Sequence, residues 1–577
     1  MDDLLDRAVY PLDPWRLIDL TSANTSASES VFAIGNGFLG LRGRREEDGA
    51  APTCFVNGFY ETWAIKYPET AYGLARDGQA MQPAPDASHV TLMVDDTFLG
   101  DGVPVEQRRE LDLAAGVMRR QTVWETPNGL VRVDAKRLVS FTRRGLLAAQ
   151  FEVTPLAHDA QIEIVNGLTT PQSQPTPNGQ AHDPRSGTVL GFSTMSVSPK
   201  CSQDGCLSMT ARTEQAGVAL TVALHHDLVV APVSAGAPVL EPQITVRAEE
   251  ALARWRVSVP AGRCATLTVL AWYTLDEDED TQREQLRLAA TAGWDGLAAE
   301  QRAWLDDAWS RADVEVGDPA LQQAIRWSLF QAMQGSARAD GAGIGAKGVT
   351  GPGYDGHYFW DMETYVLPFL TYTAPPAARA ALSYRLTTLP LAIERAAELH
   401  LAGALFPWRT INGREASAYY EAGTAQYHID ADIAHALNQY VAASGDVELM
   451  DAGGQALLVE TARLWASLGF FGDDGHYHLH GVTGPDEYSA LVDDNVYTNL
   501  MAKANLVAAA QAVQADPEMA AEAGRWLEMA KAMFVPYDEA RQLHPQDAHF
   551  LEHETWELSS VPPQNFPLLL HYHPLTI

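Results

Sequence analysis

The sequence is short of cysteine, of positive charge and of long apolar runs. Four cysteines stand among 577 residues, at positions 54, 201, 206 and 264. Their spacing suits no metal. Only Cys201 and Cys206 lie near enough to close a small loop, and so sparse a set reads as reduced thiols. Lys and Arg number 40 against 74 Asp and Glu, a net charge of −34. That balance disfavours nucleic acid and anionic membranes as partners and favours a neutral substrate. No run approaches the roughly 18 apolar residues of a membrane span. Residues Met1 to Arg7 have neither the basic nor the apolar region of a secretory signal, so the expected location is the cytoplasm. A Gly-x-Ser-x-Gly elbow is missing, and no cysteine stands in a catalytic context, which argues against a covalent Ser or Cys nucleophile.

What is present is a folded, aromatic-rich chain. Apolar residues make up 46%, with 14 Trp and 19 Tyr, and 577 residues are too many for one compact core. From about residue 85 to 275 short alternating segments recur, such as His89–Val94, Leu146–Val153, Gln161–Val165 and Ala265–Ala271. Period-two alternation broken by Gly, Pro and Asp reads as an antiparallel sandwich. The acidic run Asp276–Asp280 opens a helical segment to about Asp313. From Asp318 the pattern turns helical, starting with an Asp-Pro helix start. Helices are expected near 361–373, 376–399, 430–444, 446–468, 494–514 and 517–533. The resulting division is a β domain over 1–275, a helical linker over 276–317 and a helical domain over 318–577.

Three loops between these helices carry chemistry. Lys347 to Glu363 holds four glycines and a proline, then His357, Tyr358, Trp360, Asp361 and Glu363 where a helix begins. It reads as an exposed loop. Aromatic faces beside paired Asp and His groups suit a neutral polyhydroxylated ligand. Lys347 precedes the glycines and no Gly-Lys-Ser/Thr follows, so this is no phosphate loop. The second loop runs from Leu405 through Trp408 to Glu415 and on to His428 and Asp430. His428, Asp430 and Asp432 could suggest a metal, but no His-x-x-x-His spacing accompanies them, and no metal is expected. The third is Gly481 to Tyr488, preceded by His476, His478 and His480. Gly484 and Pro485 favour a turn that projects Asp486 or Glu487, whose carboxyl, desolvated by aromatic walls, would have a raised pKa and could act as a general acid. An ordinary turn before an Asp-Asn helix cap is the plainer alternative.

Taken together, Asn57–Trp63, Phe359–Glu363, Phe406–Arg409, Gly423–His428 and Gly484–Tyr488 resemble glycoside hydrolase family 65, in order and from about residue 10 to the end. That family holds inverting phosphorylases of trehalose, kojibiose, maltose and related α-glucosides, with a few hydrolases. The resemblance implies an N-terminal β-super-sandwich, a helical linker and an (α/α)6 barrel. It implies Glu487 as general acid and Trp360 and Asp361 as holding the transferred glucose. Trp408, Glu415 and His428 are the further expected sugar contacts. It also implies a disaccharide and inorganic phosphate as reactants, no cofactor, and an assembly for which a homodimer stays open. Trehalose is the favoured substrate. Hydrolysis by a trehalase or kojibiose hydrolase, a non-catalytic sugar-binding role, or an inactive fragment remain alternatives. Family members continue past the position of Ile577, so the barrel is expected to be incomplete, with the apolar run Phe566–Ile577 left exposed.

Overall fold

The computed structural model describes residues 6–21, 25–48, 53–67, 72–100, 103–171, 195–202, 205–231, 240–275, 278–487, 490–553 and 559. Alternation builds its first half. In the strand Gly129–Val139, Val131, Val133 and Ala135 are buried while Arg132, Asp134 and Lys136 face outward. Among the described residues this strand is the fourth of a nine-stranded antiparallel sheet. The order is Arg16–Asp19, Glu106–Asp112, Val117–Thr126, Gly129–Val139, Leu146–Pro155, Ala265–Thr274, Ala219–Val230, Leu207–Arg212 and Ser196–Cys201. A five-stranded sheet packs on it, ordered Gln243–Arg247, Glu250–Val259, Ala160–Thr169, Val90–Val94 and Thr97–Phe98. Val133, Phe151 and Leu267 from one sheet meet Ile162, Ile164 and Trp255 from the other in a single core. Two facing sheets, each with one buried face, form a sandwich.

Strands also occur well before residue 85, where alternation becomes legible. Ile34–Gly35, Leu39–Leu41, Cys54–Ala64 and Asp77–Pro83 form a separate four-stranded sheet. Cys54 to Asn57 are buried one after another, so period two is hidden there. This sheet meets the helical half: a Cβ on Gly40 would strike the Val349 carbonyl, and one on Gly356 would strike Met81.

The segment after the sandwich is helical over Glu279–Ala312, capped by Asp278, which accepts from the Thr281 amide. It is not continuous, because Gly293 breaks it at φ 64°. Leu286, Leu297 and Leu305 on it are buried, and the helix packs on the strands Ala265–Thr274 and Ala219–Val230. Next comes Pro319–Ser336, whose cap Asp318 accepts from the amides of Ala320 and Leu321. Further helices are Leu367–Thr373, Pro375–Glu398, His428–Ser444, Gln455–Leu468, Val496–Ala512 and Ala520–Ala532. Val496–Ala512 packs against the two before it and the one after it, around Leu437, Leu464, Trp465, Leu506 and Trp526. All four cysteines are free. Among the described residues no helix is long and apolar enough to cross a membrane. The apolar run Phe566–Ile577 lies outside the described residues.

A charged cluster sits inside the sandwich. Arg120 donates to Glu46 and Glu47, in each case at 2.6 Å, and all three side chains are within 3% of full burial. Burial alone would raise the Glu46 pKa, but Arg120 and Arg137 outweigh it and hold it low. At Glu47 burial wins and the pKa rises. Removing the shared cation takes from Glu47 its nearest counter-ion and leaves Glu46 with Arg137 alone, 3.4 Å away. Arg120→Met should cost about 3–5 kcal/mol, the range for breaking a buried pair from one side. Thermal and urea unfolding of the variant would read this directly, and an unchanged midpoint would mean the cluster contributes nothing net.

Candidate active site

The loop that begins at Lys347 is not exposed at its functional end. His357, Tyr358 and Phe359 are buried, and Trp360 is half-buried. Tyr354 and Asp355 adopt left-handed backbone at φ 52° and 55°. Two such consecutive non-glycine residues store strain that the surroundings must hold in place. What holds them is Arg409, which pairs with Asp355 at 2.6 Å and donates from Nε to His357 Nδ1 at 3.1 Å. Burial pushes the Asp355 carboxyl up to about 6 even against that guanidinium. Glu363 points inward, where Arg385 donates to both its oxygens at 2.7 and 3.0 Å. It is a buried structural pair, not part of a ligand-facing surface.

Asp361 is exposed, yet desolvation by the surrounding protein raises its pKa. Next to it, the Trp360 ring meets His428 edge-on at 4.9 Å between centroids and Tyr365 at 6.0 Å. His428 is not in a loop, as expected, but is the first residue of the helix His428–Ser444. That places Asp432 one turn on, and the two bond at 2.7 Å through Nδ1. Tyr497, from the helix Val496–Ala512, donates to the other Asp432 oxygen at 2.7 Å and lies 5.5 Å from the His428 ring. The ligand set His428, Asp430 and Asp432 is thereby divided. Asp430 turns the other way, accepting from the Phe406 amide at 3.0 Å, and burial pushes its pKa well up.

Glu487 lies on the third loop, half-buried, and accepts from Gln426 Nε2 at 3.0 Å. The loop is tied to residues 423–428 by the Thr483 amide, which donates to the Ala425 carbonyl at 2.9 Å. A Val482–Val492 bridge closes it on itself. Gly484 is required here, because a Cβ would overlap the Asn495 side chain that caps the next helix. Asp486, the other candidate carboxylate of the turn, is held by Gln546 Nε2 at 2.9 Å. Tyr488 lies outside the described residues. Gln426 was not singled out from the sequence, although it stands two residues before His428 in the Gly423–His428 motif. Three polar atoms of this stretch are buried without a hydrogen-bond partner: Gln426 Oε1, His428 Nε2 and Asp430 Oδ2. Buried polar groups are rarely left so, and each calls for a partner such as a water or a ligand group.

Trp408 and Glu415 play a more internal part. Trp408 is 4% exposed, with its ring edge-on to Phe359 at 5.3 Å. The Glu415 carboxylate accepts from the amides of Trp408 at 2.7 Å and Ser417 at 2.8 Å, so it shapes the loop that carries Trp408. Burial raises its pKa to about 7, although these amides and Arg395 act to lower it. Between about pH 4.5 and 7 the folded protein keeps a proton on Glu415 that the unfolded chain has released. This residue's contribution is therefore complete below about pH 4.5 and lost as the pH rises through about 7. Compared with Glu415→Gln, the parent protein should lose stability across that window and run parallel above it. Urea midpoints of both proteins from pH 4.5 to 8.5 would measure it, and a constant gap would mean that Glu415 does not titrate there.

Comparison with known proteins identifies both halves of the chain. Residues 18–308 match the N-terminal domain of glycosyl hydrolase family 65, and residues 326–576 match its central catalytic domain. An uncharacterised glycosyl hydrolase of Mycobacterium tuberculosis is 40% identical over 98% of this chain and 73% of its own length. The α,α-trehalose phosphorylase of Thermoanaerobacter brockii is 35% identical over 99% of this chain and 77% of its own. The kojibiose phosphorylase of Escherichia coli is 31% identical over 83% of this chain and 62% of its own. A solved structure from the human microbiome, provisionally assigned as a kojibiose phosphorylase, has a TM-score of 0.84. It covers 97% of this chain and 75% of its own at 22% identity, which shows the shared fold. On this evidence the chain belongs to glycosyl hydrolase family 65.

Proposed function

We propose that the protein is an inverting disaccharide phosphorylase acting on an α-glucoside, with α,α-trehalose as the preferred substrate. The observation that carries the reading is the placement of Glu487. It bonds to Gln426, in the same stretch as His428, whose ring meets Trp360 next to Asp361. A carboxyl group thus adjoins an aromatic face and unpartnered buried polar atoms, the combination that a sugar ring needs. Kinship with the trehalose phosphorylase at 35% identity supports the substrate.

In this reading Trp360 packs on the glucose ring and Asp361 accepts from its hydroxyls. Gln426 donates to Glu487 Oε1, so the proton to be delivered sits on Oε2. Glu487 protonates the glycosidic oxygen as the bond from that oxygen to the anomeric carbon breaks. An oxygen of inorganic phosphate forms the new bond on the opposite face, giving β-glucose 1-phosphate and a free sugar. The hydrogen carried in by the phosphate then restores the acid form of Glu487. Positioning of phosphate in line with the breaking bond supplies the rest. No organic cofactor is called for, since phosphate is itself the nucleophile. A hydrolase would instead use a second carboxylate to activate water.

Incubation with trehalose, kojibiose and maltose, with and without phosphate, separates these readings. Phosphate-dependent release of β-glucose 1-phosphate from trehalose above the others is expected. Glucose release indifferent to phosphate would replace the phosphorylase with a hydrolase. Glu487→Gln cannot donate the proton and should lower turnover about 10²-fold or more with its melting temperature little changed. Near-normal turnover in that variant would remove Glu487 from the role of acid.

A further inference from the structure

The histidines before the Glu487 loop are not absorbed by that mechanism. His478 ends the short strand Tyr477–His478, and His480 stands two residues on. Both converge on one atom. His478 Nδ1 lies 2.8 Å from Asp494 Oδ2, and His480 Nε2 lies 3.4 Å from the same oxygen. One ligand atom from each of the three residues falls within 4.8 Å of the others. Behind each imidazole stands another carboxylate. His478 Nε2 is 3.1 Å from Asp474, and His480 Nδ1 is 3.6 Å from Asp493. Asp494 is fixed as well, buried, with its backbone left-handed at φ 51°. Its Oδ1 accepts from the Leu479 amide at 3.1 Å and Asn499 Nδ2 at 2.9 Å, which turns Oδ2 toward the histidines.

Asp494 Oδ2 thus faces an imidazole nitrogen from each ring, at 2.8 and 3.4 Å, with the ring centroids 5.7 Å apart. A divalent cation at the convergence point meets the same geometry with neutral rings. Each ring then binds through one nitrogen; the other N–H of His478 donates to Asp474 at 3.1 Å, the usual outer support of a metal-bound histidine, and Asp493 stands 3.6 Å from that of His480. Two imidazoles and one carboxylate suit zinc, with a fourth position open to water on the side where His480 is exposed.

We propose that His478, His480 and Asp494 form a Zn2+ site, with Asp474 and Asp493 as its outer carboxylates. Its location gives it a consequence. His480 immediately precedes Gly481 and Asp494 follows Asp493, so two of the ligands bracket the loop that carries Glu487. A bound ion ties the two ends of that loop together, just below the Val482–Val492 bridge. The site stands whether or not Glu487 is the acid.

The test uses the full chain after dialysis against a chelator, titrated with ZnCl2 by calorimetry and with CoCl2 by visible absorption. One equivalent of each ion should bind, with the intense absorption of a low-coordinate Co2+ centre. Zn2+ should also raise the melting temperature. His480→Gln changes a side chain that is 44% exposed and should leave the fold intact, yet lose 10²-fold or more in affinity. Asp474→Ala, which removes only an outer carboxylate, should lose about 10–100-fold. Absence of saturable Zn2+ binding by the parent protein would overturn the proposal. So would equal binding by the parent and a His480→Gln protein with an unaltered melting curve.

Discussion

Two buried amides from the four-stranded sheet hold the walls of the candidate site. Asn57 Nδ2 donates to the carbonyls of Gly37 and Gly343, in each case at 2.9 Å, and its Oδ1 accepts from the Tyr358 hydroxyl at 2.5 Å. Gln79 Oε1 accepts from the amides of Ile411 and Asn412, and its Nε2 donates to the Arg414 carbonyl. Loop backbone cannot be buried without partners. These side chains supply them to the two loops that carry Trp360 and Trp408. The loops are joined to each other by the Tyr358–Thr410 bridge. The helical half therefore depends on the β half for the conformation of its own loops.

On the helix side the same purpose is served by charge. Glu363–Arg385 locks the turn after Asp361, and Asp430 locks the start of the Phe406 loop. His428, Asp432 and Tyr497 join two helices beneath Trp360. Such buried polar networks add little net stability compared with apolar packing, but they allow few alternative arrangements. A site that must keep an aromatic face, two carboxyls and an amide in fixed relation gains from that restriction.

The Glu487 loop is fastened at separate points. It is attached at its base by the Val482–Val492 bridge and at its side by the Thr483 amide and Gln426. Asp486 is attached by Gln546, which also accepts from Asn495 at the start of the next helix through its carbonyl.

By itself the sequence determined the sandwich, most of the helices and the family. Alternation in Gly129–Val139 or Ala160–Thr169 is legible because one face of each strand is buried and the other is wet. Asp318-Pro319 announces its helix because capping is a local event. Motif order alone pointed to the family and to Glu487. Only the tertiary structure decided which neighbours each residue would have. Cys54–Ala64 was hidden because its first residues are buried on both faces, which removes the period. Glu363 and Glu415 looked like ligand groups, but Arg385 from the next long helix claims the first and two amides of its own loop claim the second. Gln426 carried no signal of its own, since an amide acquires meaning only from the carboxyl placed 61 residues away and 3.0 Å distant. Partners across such separations are set by packing, and packing is a property of the whole fold.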